Sequence, residues 1–394
     1  MNDAILVINT GSSSIKFAVF LKAQASEMFR CVHGSVKDIG AQTLFSAATV
    51  ASGQQEHVTQ ESLAAANHAQ ALQHILAWLA SKISKLHLLA VGHRVVHGGT
   101  GFTQAVRVDA QVLEDLKALI PLAPLHQPHA LHAIGALLAQ QPQLPQVACF
   151  DTAFHANMPR HEQRFALPGT LETQGIRRYG FHGLSYEYIN SVLPGYLGDK
   201  ANGKVVIAHL GHGVSMCALK LQRSVATTMS FTPLDGLPMG TRCGAIDPAI
   251  VLYLLERGMS GQAISNLLHH QSGLLGLSGI SDDMQTLLSS SQPAAAEAVE
   301  YFCYRISREL GSLAAALGGL DALVFTGGIG ERATSVRARI CDAAAWLGLC
   351  IDESANQANA LDISARNSKV AVWVIPTDEE QTIARQTQAL ISNP

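Results

Sequence analysis

Three stretches of this chain share one plan, and that plan narrows the folds open to it. In each, an apolar run long enough for a buried strand breaks at glycine and small polar residues, then resumes or enters a helix. At residues 6–20, LVINTGSSSIKFAVF, the break falls at Asn9-Thr10-Gly11 and passes Ser12, Ser13 and Ser14 before Lys16. At residues 205–219, VVIAHLGHGVSMCAL, it falls at Gly211-His212-Gly213, and at 322–332, ALVFTGGIGER, a third strand runs into glycines. Glycine lets a backbone approach a ligand, while hydroxyls, turn N–H groups and a lysine suit an anion such as phosphate. Alone, the first stretch is more simply a serine-rich hairpin. Three glycine turns ending buried strands point instead to a nucleotide cleft.

At 394 residues, 48% hydrophobic and 14% charged, the chain is too long for one compact core and able to build two. A formal net charge of -3, with no run of lysines and arginines, argues against a nucleic-acid partner. Seven scattered cysteines without a C-x-x-C pair read as reduced thiols. No apolar run reaches membrane-spanning length. The opening MNDAILVINT enters a strand at once, without the basic flank or cleavage site of a signal peptide. A soluble cytoplasmic protein with no membrane contact is expected.

Between the glycine turns the periodicities alternate. Mixed alternation as far as residue 58, including 43–50, predicts further strands. Leu72, Ile75, Leu76, Leu79 and Ile83, at three- and four-residue spacing, predict an amphipathic helix over 61–83. A strand at 86–91 leads into a polar segment with His93, Arg94, His97 and two glycines, where ligand residues often sit. Helices are expected over 109–119 and 129–138, divided by PLAPLHQP, whose prolines force an extended or turning path. The run 147–150 delivers Asp151 at its end. In the second half, RRYGFHGLSYEYI reads as a loop entering a helix, FTPLDGLPMGTRCGAIDP as a shaped loop, and Asp247-Pro248 as the cap and first turn of another helix. A long helix over 297–317, closed by Gly318-Gly319, precedes the strand 322–325. After a last strand at 370–375, Thr377-Asp378-Glu379-Glu380 has the form of a capping box opening the C-terminal helix. Each half thus begins with strand, polar turn and strand, and goes on to helices and more strands.

That duplication resembles the actin, Hsp70 and sugar-kinase superfamily, in which two related α/β domains of ribonuclease H-like fold close on a nucleotide. The motifs VINTGSSSIKF, GHRVVHGG, PLAPLHQP, FDTAFH, RRYGFHG, HLGHG, FTPLDGLPMGTRCG, FTGGIGER and VIPTDEE, in that order over residues 9–380, resemble the acetate kinase family of short-chain carboxylate kinases. The resemblance implies an actin-like domain of residues 1–150 plus 378–394, a nucleotide-binding domain of residues 151–377, and a nucleotide cleft between them. It implies reversible transfer of the γ-phosphoryl of ATP to acetate, giving acetyl phosphate and ADP, with Mg2+ or in its place Mn2+, in a homodimer.

Phosphoryl transfer between two anions needs cations, a metal and backbone donors more than covalent help. By the resemblance, Arg94 binds the substrate carboxylate, Arg242 and His182 stabilise the transferring phosphoryl, and Asp151 is the catalytic acidic residue. A carboxylic acid substrate is already ionised at neutral pH, so Asp151 suits organising the metal and its waters better than removing a proton. Asn9 and Glu379 match the magnesium positions, and Val96, Leu125, Phe181 and Pro233 a small dry acyl pocket. Lys16, the run His209, Leu210, Gly211, His212 and Gly213, the triplet Asp283, Met284 and Gln285, and the run Gly328, Ile329, Gly330, Glu331 and Arg332 match the nucleotide positions. Each of these residue types also has an ordinary use: arginine in surface ion pairs, histidine as a hydrogen-bonded structural residue, apolar side chains in the core, and an acid such as Glu379 at a helix N-terminus.

Three donor-side motifs depart from the family pattern. HLGHG has His212 in place of asparagine, Asp283-Met284-Gln285 stands in place of Asp-Phe-Arg, and GIGER carries Arg332 in place of asparagine. Losing an arginine stacking partner alters how a purine is held, although Met284 can still cover a base and Gly328 and Gly330 leave room for a nucleoside. ATP is expected as donor, with weak discrimination among purines. Two other readings stay open: a kinase for propionate or a longer acid, and an actin-like or Hsp70-like ATPase with water as acceptor. Arg94 beside apolar Val96 bears on the second, because a water-using ATPase needs no carboxylate clamp next to a dry pocket.

Overall fold

The apolar runs at the glycine turns form the central strands of two sheets. The computed structural model describes residues 2–22, 28–51, 54–82 and 86–392, and the chain divides into two compact units, Met1–Phe154 with Asp378–Pro394, and His155–Thr377. In the first unit the strands are β1 (Asn2–Thr10), β2 (Ile15–Lys22), β3 (Met28–Lys37), β4 (Leu44–Ala51), β5 (Gln54–Ser62), β6 (Leu86–Val95), β7 (Val106–Arg107) and β8 (Gln146–Phe150), in the order β5-β4-β3-β2-β1-β6-β8-β7. Strands β1 to β5 form an antiparallel meander, and β6 and β8 run parallel to β1. Ala4, Ile5, Leu6, Val7 and Ile8 are at most 1% exposed, as a central strand covered on both faces requires.

The helix His68–Lys82 lays Leu72, Ile75 and Leu79 on this core, beside Phe17, Phe45 and Trp78. It starts seven residues later than its periodicity predicts, because β4 claims the chain through the pair Leu44↔Ser62 and Asn67 then caps the helix, accepting from Gln70 N at 3.0 Å. Ile83, at the predicted end, lies outside the described residues. The helix predicted to begin at 129 runs from Gln127 to Gln140, since Pro128 is tolerated in a first turn. Strand β6 continues through His93 and Arg94, which the sequence places beyond its end, because pairing with β8 persists to Val95↔Phe150. The C-terminal helix Glu379–Ser392 packs on β1, β6 and β8. Gly92 permits this approach: a Cβ there would lie 2.6 Å from Ile383 Cγ2. Asp378, not the predicted Thr377, caps that helix, its carboxylate accepting from Gln381 N at 2.9 Å.

The second unit repeats the scheme with β9 (Lys204–Leu210), β10 (Val214–Lys220), β11 (Arg223–Thr227), β12 (Ala322–Thr326) and β13 (Ala371–Val374), in the order β11-β10-β9-β12-β13. Strands β9, β10 and β11 are antiparallel, and β12 and β13 run parallel to β9. The order and polarity are those of β3-β2-β1-β6-β8, so the duplication read in the sequence is a duplication of topology. The helix Pro293–Leu317 buries Val299, Phe302, Ile306, Leu310, Leu313 and Leu317 against this sheet and ends at Gly318, φ 70°. All seven cysteines are free, and no helix among the described residues is long and apolar enough to cross a membrane.

Candidate active site

Parallel strands deliver their C-terminal ends to one edge, where ligands of open α/β sheets are bound. In the first unit that edge carries Asn9 on β1, Arg94 on β6 and Asp151 directly after β8. Arg94 closes one side of its guanidinium on Asp151: Nε lies 3.1 Å from both carboxylate oxygens and Nη2 lies 2.7 Å from Oδ2. Nη1 faces Glu379 Oε2 at 3.8 Å, from the first turn of the C-terminal helix. Asp151 is 2% exposed and the Arg94 side chain 22%. Burial works against the guanidinium charge, but Asp151 and then Glu379 outweigh it and hold the Arg94 pKa above its ordinary value. The edge that Arg94 can show a substrate carboxylate is therefore the outer one, Nη1 and Nη2. Val96 follows, half-buried, while Leu125 is 39% exposed.

The serine turn between β1 and β2 closes with Gly11 N donating to Ser14 O at 2.8 Å, and His68 Nε2 lies 2.8 Å from Gly11 O. Ser12 and Ser13 are exposed; Ser13, Ser14 and Lys16 line a small cavity with Ser35, Lys37 and Asp38.

In the second unit, His182 occupies the position before the helix Gly183–Leu197 with a left-handed backbone, φ 57°, a costly conformation for a residue with a side chain. Its Nδ1 lies 2.7 Å from Ser215 Oγ on β10, and the Tyr186 hydroxyl lies 2.5 Å from the same oxygen. Its ring stacks on His209 with centroids 4.3 Å apart, and Ser185 Oγ joins His209 Nδ1, at 2.8 Å, to Thr377 Oγ1, at 2.9 Å. A Cβ on Gly213 would sit 2.9 Å from His182 Nε2 and 3.1 Å from Arg242 Nη2, so both side chains flank the glycine turn. Arg242 is steadied by Pro233, whose carbonyl accepts from Nη1 at 2.7 Å. Phe181 is 1% exposed, and its carbonyl accepts from His155 Nε2 at 3.0 Å.

Beside the same turn lies a cavity of about 690 Å³ lined by Gly211, His212, Asp283, Met284, Gln285, Gly328, Ile329 and Arg332, together with Asp282, Leu288, Ser289 and Ala333. Gly327, φ 77°, lets β12 turn beside β9: a Cβ there would meet Leu210 O at 2.8 Å. A Cβ on Gly328 would meet nothing within 4 Å, which leaves open space at the wall. His209, Leu210 and Gly330 are buried and do not line the cavity, and Glu331 is a brace, its Oε1 accepting from Gly327 N at 3.0 Å and Thr377 N at 3.3 Å. Lys16 lines the serine-turn cavity of the first unit rather than this one.

A family model described as the acetokinase family matches residues 4–385. The chain belongs to that family. A protein named acetate kinase from Rhodopseudomonas palustris is 52% identical over 395 residues, covering 99% of each chain. The crystal structure of a propionate kinase from Francisella tularensis subsp. tularensis SCHU S4 superimposes with a TM-score of 0.91 at 38% identity, covering 98% of this chain and 99% of that one. That of Porphyromonas gingivalis acetate kinase gives a TM-score of 0.87 at 34% identity, with the same coverage. The fold is thus the α/β, actin-like fold of acetokinases, and the family consists of phosphotransferases with a carboxylate acceptor and ATP or ADP as co-substrate.

Sequence reasoning missed the residues that orient the acetokinase histidines. Ser215 was detectable as a hydroxyl inside an otherwise apolar buried strand, and Ser185 and Tyr186 as polar groups directly after the YGFHG motif. Thr377, read as a cap, shares its hydroxyl with Ser185, and Asp282, whose Oδ2 lies 3.2 Å from His212 Nε2, carries no local signal.

Proposed function

We propose that this acetokinase transfers the γ-phosphoryl of ATP reversibly and directly, by in-line displacement, to acetate, giving acetyl phosphate and ADP. The observation that carries the acceptor half is Arg94: Asp151 fixes its Nε and Nη2 side, and the edge assigned to a small carboxylate is the outer one, where Nη2 keeps a second hydrogen and Nη1 stands 3.8 Å from Glu379 Oε2, with half-buried Val96 two residues further along the chain. The acetate oxygen forms a bond to the γ-phosphorus while the bond to the β,γ-bridging oxygen breaks, and the electron pair leaves with ADP. No proton need be removed, since the acid is already ionised. Arg242 and His182, both beside Gly213, are assigned to the charge that spreads over the transferring phosphoryl. The cavity beside that turn is assigned to the nucleoside of the donor.

Asn9 and Glu379 would hold Mg2+. Their amide and carboxylate oxygens suit a hard cation, and among the described residues no group of three or more His, Cys, Asp or Glu could hold an ion unaided. Such sparse protein ligation is the habit of magnesium shared with substrate phosphates. When bound, the ion neutralises phosphate charge.

A second copy of this chain is the proposed partner. The helix Pro248–Glu256 has no buried residue, and Ile250, Leu252, Tyr253 and Leu255 are 45–60% exposed. An exposed helix with apolar side chains on every side suits a homodimer interface. A monomer by light scattering, unchanged by Leu252→Lys, would overturn the assignment.

Propionate is the second reading, favoured by the similarity to the Francisella propionate kinase. Both readings are tested by mixing enzyme, ATP, magnesium and hydroxylamine with formate, acetate, propionate or butyrate. The expected result is acyl hydroxamate, most rapidly from acetate. No product from any acid, with ATP still hydrolysed, would sink the kinase reading in favour of an ATPase.

A further inference from the structure

Arg337 is the largest fully buried side chain among the described residues, with no exposed surface. A buried guanidinium ordinarily faces a carboxylate, because an unpaired charge is costly to desolvate. Among the described residues no carboxylate is within ion-pair distance of this one. Its donors go to neutral oxygens instead: Nε to Asn356 Oδ1 at 2.8 Å, Nη1 to Gly330 O at 2.9 Å, and Nη2 to Asn356 O at 3.0 Å and Asn359 Oδ1 at 2.8 Å. Asn356 is itself fully buried and donates from Nδ2 to Thr334 O at 3.0 Å. Burial pulls the Arg337 pKa below its ordinary value, but arginine remains charged.

What the cation grips decides its meaning. Gly330 belongs to the helix Gly327–Arg332, whose Gly328, Ile329 and Arg332 line the 690 Å³ cavity, so Arg337 holds that wall from behind. The face of the cavity itself carries Asp282, Asp283 and Arg332, a balance of charge that does not by itself attract a polyphosphate. A buried positive charge behind the wall acts through a medium of low dielectric and is poorly screened by salt.

We infer that Arg337 is a positioning residue of the donor site: it holds the segment Gly327–Arg332 through the Gly330 carbonyl and supplies an uncompensated positive charge that favours phosphorylated nucleosides over neutral ones. The inference rests on reading the cavity as the nucleotide site. A merely scaffolding arginine would affect adenosine and ADP alike, whereas a charge acts on ADP alone.

The experiment is calorimetric titration of the full-length protein with metal-free ADP and with adenosine at low ionic strength. Asn359→Asp replaces a neutral oxygen 2.8 Å from Nη2 with a carboxylate of the same shape. Asn359→Gly removes that oxygen without adding charge and tolerates the left-handed backbone of residue 359, φ 50°. Asn359→Asp is expected to weaken ADP by about threefold to tenfold while adenosine changes less than about twofold. Asn359→Gly is expected to leave the ratio of the two affinities unchanged. Arg337→Met, where it folds, is expected to repeat the change of ratio, and Asn359→Asp decides the matter where it does not. An unaltered ratio in Asn359→Asp overturns the inference and leaves the cavity assignment standing. Wild-type protein that binds neither ligand overturns the cavity assignment and the inference together.

Discussion

Arg94 holds Asp151 with the Nε and Nη2 side of its guanidinium at 2.7 to 3.1 Å, so the arginine assigned to the substrate is also the counter-charge of a carboxylate that is 2% exposed. Binding and stability are therefore joined at one residue. Arg94→Leu is expected to raise the acetate KM and lower kcat, with a loss of at least about 3 kcal/mol in kcat/KM, and to lower folding stability by about 3 to 5 kcal/mol by stranding a buried charge. Adding Asp151→Asn should restore much of the stability and none of the activity. Near-normal kinetics in folded Arg94→Leu would remove Arg94 from the site.

Ser215 is shared by His182 and Tyr186. Ser215→Ala removes the oxygen that sets the direction of the His182 ring, and kcat is expected to fall about tenfold with little change in either KM. A lowered melting temperature with unchanged kcat, measured well below melting, would show that the serine only supports the fold.

Met284, Gln285 and Arg332 all line the donor cavity. Weak discrimination between ATP and GTP is expected, and Met284→Phe, Gln285→Arg and Arg332→Asn together should sharpen it. Strong rejection of GTP by the wild type, unaltered in the triple variant, would take base choice away from these positions.

Val96 is the lever for the acid. Its two methyl groups occupy volume that the extra methylene of propionate would need, a difference of about 1 to 3 kcal/mol in an apolar pocket. Acetate should have the higher kcat/KM, and Val96→Ala should move the ratio toward propionate by lowering the propionate KM. An unchanged ratio with a lower melting temperature would make Val96 a core residue.

Three buried histidines predict how stability depends on pH. Burial lowers the pKa of His93, His97 and His155 to about 4, while in the unfolded chain they take up protons near 6.5. Between those values the unfolded state binds more protons, so stability is expected to be full above about pH 6.5 and to fall as the pH drops toward 4, by up to about 3 kcal/mol per histidine. Urea unfolding at pH 7.5, 5.5 and 4.5 measures the trend, and a flat profile would contradict it.

What the sequence by itself determined is whatever a few consecutive residues decide. The turns at Gly11, Gly211 and Gly327 were legible because an apolar run, a glycine and a polar turn lie next to one another in the chain, and so was their repetition in two halves. Element ends were less legible, because they depend on a partner: β6 runs on through Arg94 only because β8 offers it pairing, and β4 claims Ser62 from what periodicity reads as helix. The contacts that orient the site were not legible at all. Arg94 meets Asp151 across 57 residues, His182 meets Ser215 across 33, and Ser185 meets Thr377 across 192. Backbone preference acts over one or two turns of chain, whereas a buried hydroxyl or charge takes the partner that sheet order brings beside it, and only the tertiary structure decides which one that is.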